Sequence, residues 1–168
     1  AWIRHGHRAF DALARLRVPL IAALNGHTLG GGLELAATAD FRVAEPQVNF
    51  GLPETGLGII PGWSGTQRAV RRFGSQTVRR MALLGEIFSA DEALRLGIVD
   101  SVAAKGEGLA AAKLMAAKLA IRGPLATAVT KMLINAAEGE DVERALETLG
   151  GLAVADGHEL KTGVAAFR

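Results

Sequence analysis

The stretch Gly26-His-Thr-Leu-Gly-Gly-Gly-Leu-Glu34 sets three successive glycines, Gly30 to Gly32, just ahead of a carboxylate. An apolar run from Pro19 to Leu24 ends in Asn25-Gly26 before it, and Leu33 to Ala37 after it are good helix formers. The pattern is strand, tight loop, helix. Glycines there let the backbone approach a ligand with no Cβ in the way, and the first N–H groups of the helix lack intrahelical partners. Such a helix start favours developing negative charge. A nucleotide P-loop would close on Lys-Ser/Thr, whereas Leu33-Glu34 stands here and a carboxylate would repel phosphates. The loop therefore reads as an oxyanion donor, with Gly31 supplying the N–H and Glu34 one helical turn further on, on the same side.

Other chemistries have weaker support. With no cysteine, disulfides, thiolate nucleophiles and Cys-based metal sites are excluded, and no metal site is expected. Gly62-Trp63-Ser64-Gly65 is similar to a nucleophile elbow, but Thr66 replaces the final glycine of that motif. His27, beside the loop, reads as a structural histidine and is given no role. Glu34 also has a plain reading, since a helix dipole favours a carboxylate in the first turn, and Glu54 after Pro53 has one as a turn or cap residue. Arg68, Arg71, Arg72, Arg79 and Arg80 read as a solvated helix face, with contact to an anionic group or a neighbouring subunit as the alternative.

The elements that must hold these residues fit one globular domain: 168 residues, 49% of them hydrophobic, supply a real core. The net charge of +2 does not call for nucleic acid, and no apolar run approaches the roughly 20 residues of a membrane helix. A cytoplasmic location is expected, with an organellar matrix as the alternative. Along the chain we expect a helix over Trp2–Leu16, a strand over Leu20–Leu24, a helix over Gly31–Ala39 and a strand over Asp40–Val43. A Gly- and Pro-rich loop from 45 to 65 should pack over a site. Helices follow over Trp63–Phe73 and Gln76–Leu84, with Ser75 as a cap. Ser89-Ala-Asp-Glu92 is a capping box for a helix that Gly97 ends, and Ile98–Val102 is a short strand. Three amphipathic helices, Leu109–Ile121, Leu125–Ala137 and Val142–Ala155, are divided by Gly123-Pro124 and Gly139.

Several separated motifs, in order, resemble the crotonase, or enoyl-CoA hydratase/isomerase, family. They are Val18-Pro-Leu-Ile-Ala-Ala-Leu-Asn-Gly26, Leu29-Gly-Gly-Gly-Leu-Glu-Leu-Ala36, Phe50-Gly-Leu-Pro-Glu-Thr-Gly-Leu-Gly-Ile-Ile-Pro-Gly62 and Gly65-Thr-Gln-Arg68. Leu84-Gly85, Ser89-Ala90, Ala93 to Val99 and Gly163 to Phe167 extend the likeness end to end. The resemblance implies an α/β fold: a crotonase/ClpP-like spiral of β-β-α units over residues 1–108, then a helical oligomerisation region over 109–168. It further implies homotrimers or hexamers made of two trimers, an acyl-CoA thioester as substrate, and no cofactor.

By the same resemblance Glu34 and Glu54, 20 residues apart, are the acid–base pair, and Gly31 gives an oxyanion N–H. Leu29, Gly30, Gly31, Pro53, Glu54, Gly62 and Trp63 would contact the substrate. Adding water across a double bond conjugated to a thioester builds charge on the carbonyl oxygen, while one proton leaves water and another joins the α-carbon. Two carboxylates on one face of the substrate suit that task. Relatives that keep only the second carboxylate tend to move a double bond, so hydration is the expected reaction and isomerisation the alternative. A non-catalytic RNA-binding or structural relative is a further alternative, for which the arginines are the only support. Trp63 stands where Gly-Ala-Gly-Gly is common in the family and is expected to narrow or line the acyl end. The family's N-terminal sheet region, with a second oxyanion donor and much of the CoA nucleotide pocket, is not in this sequence, nor is its basic tail. Both ends look cut, and by itself the chain is expected to be a poor catalyst.

Overall fold

The computed structural model describes residues 2–142 together with Leu146 and Leu149. Helix α1 (Trp2–Ala14) leads into strands β1 (Ile21–Leu24) and β2 (Thr28–Leu29) and helix α2 (Gly31–Ala36). A second turn repeats the order with β3 (Phe41–Ala44), β4 (Phe50–Gly51), a 3-10 helix over Pro53–Leu57, α3 (Arg68–Phe73) and α4 (Ser75–Leu83). Then come α5 (Ala90–Arg95), β5 (Ser101–Val102), α6 (Gly108–Ala120) and α7 (Pro124–Ala137). First strands stack on first strands, giving a parallel sheet β1-β3-β5, and second strands on second strands, giving the parallel pair β2-β4. Ile21 lies opposite Phe41, and Thr28 opposite Phe50. This is the expected spiral of β-β-α units followed by helices.

The core fills the inside of the spiral. Leu33 from α2, Val48, Phe50 and Leu52 around β4, Met81 from α4, and Phe88, Ile98 and Val99 around α5 are buried in one cluster. Phe50 and Phe88 exchange both backbone hydrogen bonds, at 2.9 and 2.8 Å, which brings the segment before α5 against β4. The capping box forms as the sequence requires: the Ser89 hydroxyl accepts from the Glu92 N–H, and the Glu92 carboxylate accepts from the Ser89 N–H. Gly97, at φ 73°, terminates the helix in the left-handed region that glycine enters without penalty.

Several boundaries differ from the expectation, each for a local reason. The helix expected over Trp63–Phe73 begins only at Arg68, because Ser64 takes a left-handed φ of 77° and the residues before Arg68 form turns. Ser75 lies inside α4 instead of capping it, the cap position being Gly74. The strand expected over Ile98–Val102 shrinks to Ser101–Val102, since the N–H groups of Ile98 and Val99 bond to Ala93 O at the end of α5. The loop from 45 to 65 contains β4 and the 3-10 helix. The expected helix Val142–Ala155 and the Gly163–Phe167 motif lie outside the described residues.

The arginine stretch is not a uniform solvated face. Arg68, with a side chain only 4% exposed, holds Glu140 with Nε and Asp11 with Nη2 at 2.7 and 2.8 Å. Arg72 pairs with Glu138 at 3.2 Å and donates to Asn135 Oδ1. Arg80 pairs with Glu86 and lies over the Phe88 ring, while Arg79 is exposed. Lys131 of α7 donates to Asp40 at 2.6 Å and to Val18 O at 3.1 Å, tying the entries of β1 and β3 to the helical region. Among exposed apolar side chains of α6 and α7 are Leu109, Leu114 and Leu125.

Arg68 thus fastens α1 and the residues after α7 to the spiral through one nearly buried cation. Replacing it by alanine removes the cation that Asp11 and Glu140 share and leaves them only the longer contacts to Arg15 at 3.9 Å and Arg71 at 3.8 Å, so Arg68→Ala should cost about 3 kcal/mol in urea unfolding. A loss below about 1 kcal/mol, the range of exposed pairs, would mean the cluster is solvent-compensated.

Candidate active site

Local sequence explains how the site begins. At the end of β2, Gly30 adopts φ 54°, ψ −127°, a backbone state that a side chain would strain. Its N–H bonds to Gly51 O across the β2–β4 pair at 2.9 Å and is therefore spent on the fold. The next N–H, that of Gly31, stands at the first position of α2, where no intrahelical acceptor exists. A Cβ on Gly30 would sit 2.9 Å from Glu54 Oε1, so glycine here also makes room for a carboxylate.

Both glutamates are buried and border one cavity of about 770 Å³. Glu34 Oε1 accepts two backbone hydrogen bonds, from Trp63 N–H at 2.7 Å and Gly65 N–H at 2.8 Å. These fix the carboxylate's orientation, and the other oxygen lies on the Gly31 side, 3.9 Å from where a Cβ on that glycine would stand. Gly65 is needed for this grip: its Cβ would lie 2.6 Å from Glu34 Oε1 and 2.8 Å from Pro61. The left-handed Ser64 sits between the two donors, and its hydroxyl lies 3.2 Å from His7 Nδ1.

Glu54 arrives differently. Pro53 starts the 3-10 helix, Gly58 ends it in the left-handed region, and Thr55 anchors it by donating to Ala82 O of α4 at 2.6 Å. The Glu54 Oε2 atom is buried and takes no hydrogen bond from the described residues. Burial pushes its carboxyl above the ordinary carboxylate range, a bond from its own backbone N–H works against this, and the charge of Glu34 pushes it up further. A buried carboxyl that keeps its proton to higher pH can serve as a proton donor.

All eight residues singled out from the sequence, Leu29, Gly30, Gly31, Glu34, Pro53, Glu54, Gly62 and Trp63, line this cavity. Sequence reasoning missed His7, and also Leu57, Gly58, Ile59 and Ile60, which line the same cavity. His7 carried no signal, because its place depends on α1 folding back over the turn before Arg68. The stretch Leu57-Gly-Ile-Ile-Pro61 did carry one: it puts three apolar residues, Leu57, Ile59 and Ile60, in a Gly- and Pro-rich loop, and the structure leaves all three exposed. Among the described residues no cluster of His, Asp and Glu is arranged to hold a metal ion, and no helix is long and apolar enough to cross a membrane.

A parallel β-β-α spiral that sets a glycine-started helix against two buried carboxylates can be compared with known proteins. The family model described as "Enoyl-CoA hydratase/isomerase" matches residues 4–168. A crotonyl-CoA hydratase of Syntrophomonas wolfei is 38% identical over 165 residues, covering 96% of this chain and 63% of that protein. A short-chain-enoyl-CoA hydratase of Clostridium acetobutylicum is 40% identical over 141 residues, 84% of this chain and 54% of that protein. Among solved structures, DspI of Pseudomonas aeruginosa superposes with a TM-score of 0.81 at 38% identity, covering 99% of this chain and 64% of the other. An enoyl-CoA hydratase from Bacillus anthracis gives 0.80 at 34% identity, with coverage of 98% and 65%. The chain belongs to the enoyl-CoA hydratase/isomerase, or crotonase, family. It spans less than two thirds of the length of these relatives.

The raised Glu54 pKa has a measurable consequence for stability. The folded state binds this proton more tightly than the unfolded chain, so ionising Glu54 costs stability as pH rises from the unfolded value near 4.5 through the higher folded value. Glu54→Gln removes that cost. The variant's melting temperature relative to the unaltered protein should climb as pH rises through this window and level off above it. A difference that is constant from acid to neutral pH would show that the Glu54 proton is not linked to folding.

Proposed function

We propose that the cavity is the site of a trans-2-enoyl-CoA hydratase. The observation that carries this reading is the pair of buried carboxylates, Glu34 and Glu54, on one cavity beside the free helix start at Gly31. The names of the two curated relatives, both enoyl-CoA hydratases, agree with it. In the proposed reaction the thioester carbonyl oxygen takes a hydrogen bond from Gly31 N–H, and one such donor is typically worth about 2.7–4 kcal/mol to the transition state. Water held by Glu34 gives up a proton as its oxygen bonds to the β-carbon. The π electrons move to the α-carbon and thioester, and Glu54 delivers its proton to the α-carbon. Proton count closes, since one carboxyl gains what the other loses, and transfer through solvent restores both.

Roles follow from the surroundings. Two backbone donors hold Glu34 Oε1, which leaves its second oxygen to orient water, whereas burial and the charge of Glu34 raise the pKa of Glu54 and favour its protonated form. Isomerisation needs only one proton shuttle. The presence of Glu34, gripped by two N–H groups and bordering the same cavity, supports hydration over that alternative. The RNA-binding reading has less support, because Arg68, Arg72 and Arg80 pair with Glu140, Glu138 and Glu86.

In the protein expressed at full length, Glu34→Gln and Glu54→Gln should each lower the turnover of crotonyl-CoA by about 100-fold or more, while binding of a saturated acyl-CoA changes little. Hydration at near the unaltered rate by either variant would remove that residue from the mechanism.

A further inference from the structure

Trp63 makes two contributions that separate cleanly. Its backbone N–H orients Glu34, while its indole forms a wall of the cavity. The ring is packed between two glycines. A Cβ on Gly6 of α1 would lie 2.2 Å from Nε1 and 2.4 Å from Cδ1, and a Cβ on Gly31 would lie 2.7 Å from Cζ3. Phe10, one turn along α1 from Gly6, meets the ring edge-on with centroids 5.4 Å apart and planes at 69°. His7, next to Gly6, reaches Ser64, next to Trp63, at 3.2 Å. Three residues of α1, Gly6, His7 and Phe10, therefore engage two successive residues of the turn that grips Glu34.

From this packing we infer that the indole, seated back against α1 by the missing side chain at Gly6, sets the acyl-chain length the cavity accepts and restricts it to short chains. The inference rests on the acyl-CoA reading of the cavity. Any acyl group whose carbonyl oxygen reaches Gly31 N–H runs beside the benzo edge of Trp63, since that edge covers the Gly31 Cα. A longer tail must then displace the ring, and the ring has no room to retreat, because α1 already lies against its pyrrole side at the closest approach glycine allows. A methyl group at Gly6 would push the indole forward into the cavity. The seat at Gly6 and the wall at Trp63 thus act as one unit, and their substitutions should be strongly non-additive.

The test is binding, so that it does not depend on turnover. Dissociation constants for butyryl-CoA and dodecanoyl-CoA would be measured by calorimetry on the full-length protein, alongside hydration of crotonyl-CoA. The unaltered protein should gain no affinity from the longer chain. Trp63→Ala should improve dodecanoyl-CoA binding about tenfold relative to butyryl-CoA, the scale on which a hydrophobic pocket responds to added methylenes. Gly6→Ala should weaken binding of both ligands, and Gly6→Ala combined with Trp63→Ala should behave like Trp63→Ala alone. An unchanged ligand ratio in Trp63→Ala would overturn the inference, as would a Gly6→Ala effect of equal size with and without the indole. No crotonyl-CoA hydration by the unaltered protein would count against the hydratase reading, while the binding ratios would still decide whether Trp63 limits chain length.

Discussion

One carboxylate oxygen, Glu34 Oε1, receives the backbone N–H groups of Trp63 and Gly65, and the candidate site depends on that grip. It joins the first turn of α2 to a segment about 30 residues later that would otherwise have no reason to bend as it does. Ser64 takes a left-handed conformation between the two donors, and Gly65 gives up its side chain to let the carboxylate in. The same turn presents the Trp63 ring to α1 and closes one wall of the cavity. A helix through these residues would satisfy the backbone internally and leave Glu34 without its donors. The late start of α3 at Arg68 is the cost of orienting this carboxylate.

The second carboxylate is delivered by the spiral itself. Because β2 pairs in parallel with β4, Gly30 and Gly51 are bonded neighbours, and the chain leaves both strands at the same end. After β2 it enters the glycine-started α2 with Glu34, and after β4 it enters the Pro53 helix with Glu54. Ligand sites outside the carboxyl ends of parallel strands are a general consequence of such sheets. Here the consequence is that two acids from successive turns share one apolar cavity, where burial and mutual repulsion favour keeping the proton on Glu54.

Much of this was legible in the sequence because it is local. The apolar run into Gly26, the glycines before Leu33, the capping box at Ser89 and the glycine stop at Gly97 each name their structure through neighbours in the chain. Conformations set by distant partners were not legible. Nothing near Ser64 announces a positive φ, which exists because Glu34 needs two donors. Nothing near Arg68 announces burial, which comes from Asp11 and Glu140 converging on it from either end of the described chain. His7 and Gly6 belong to the same class: their roles appear only when α1 lies across the turn. The eight cavity-lining residues were singled out through a motif resemblance and a spacing, whereas the reason for their orientation came from packing.

The central claim is that Glu34 and Glu54 address one substrate from the same side, the first through water and the second through the α-carbon. Stereochemistry reads this directly. Crotonyl-CoA hydrated by the full-length protein in deuterium oxide should carry one deuteron at the α-carbon, added to the same face as the hydroxyl group, and NMR coupling constants of the 3-hydroxybutyryl product distinguish this syn product from the anti one. A single syn diastereomer is the expected result. An anti product, or an even mixture of the two, would contradict an account in which both carboxylates act from one wall of the cavity.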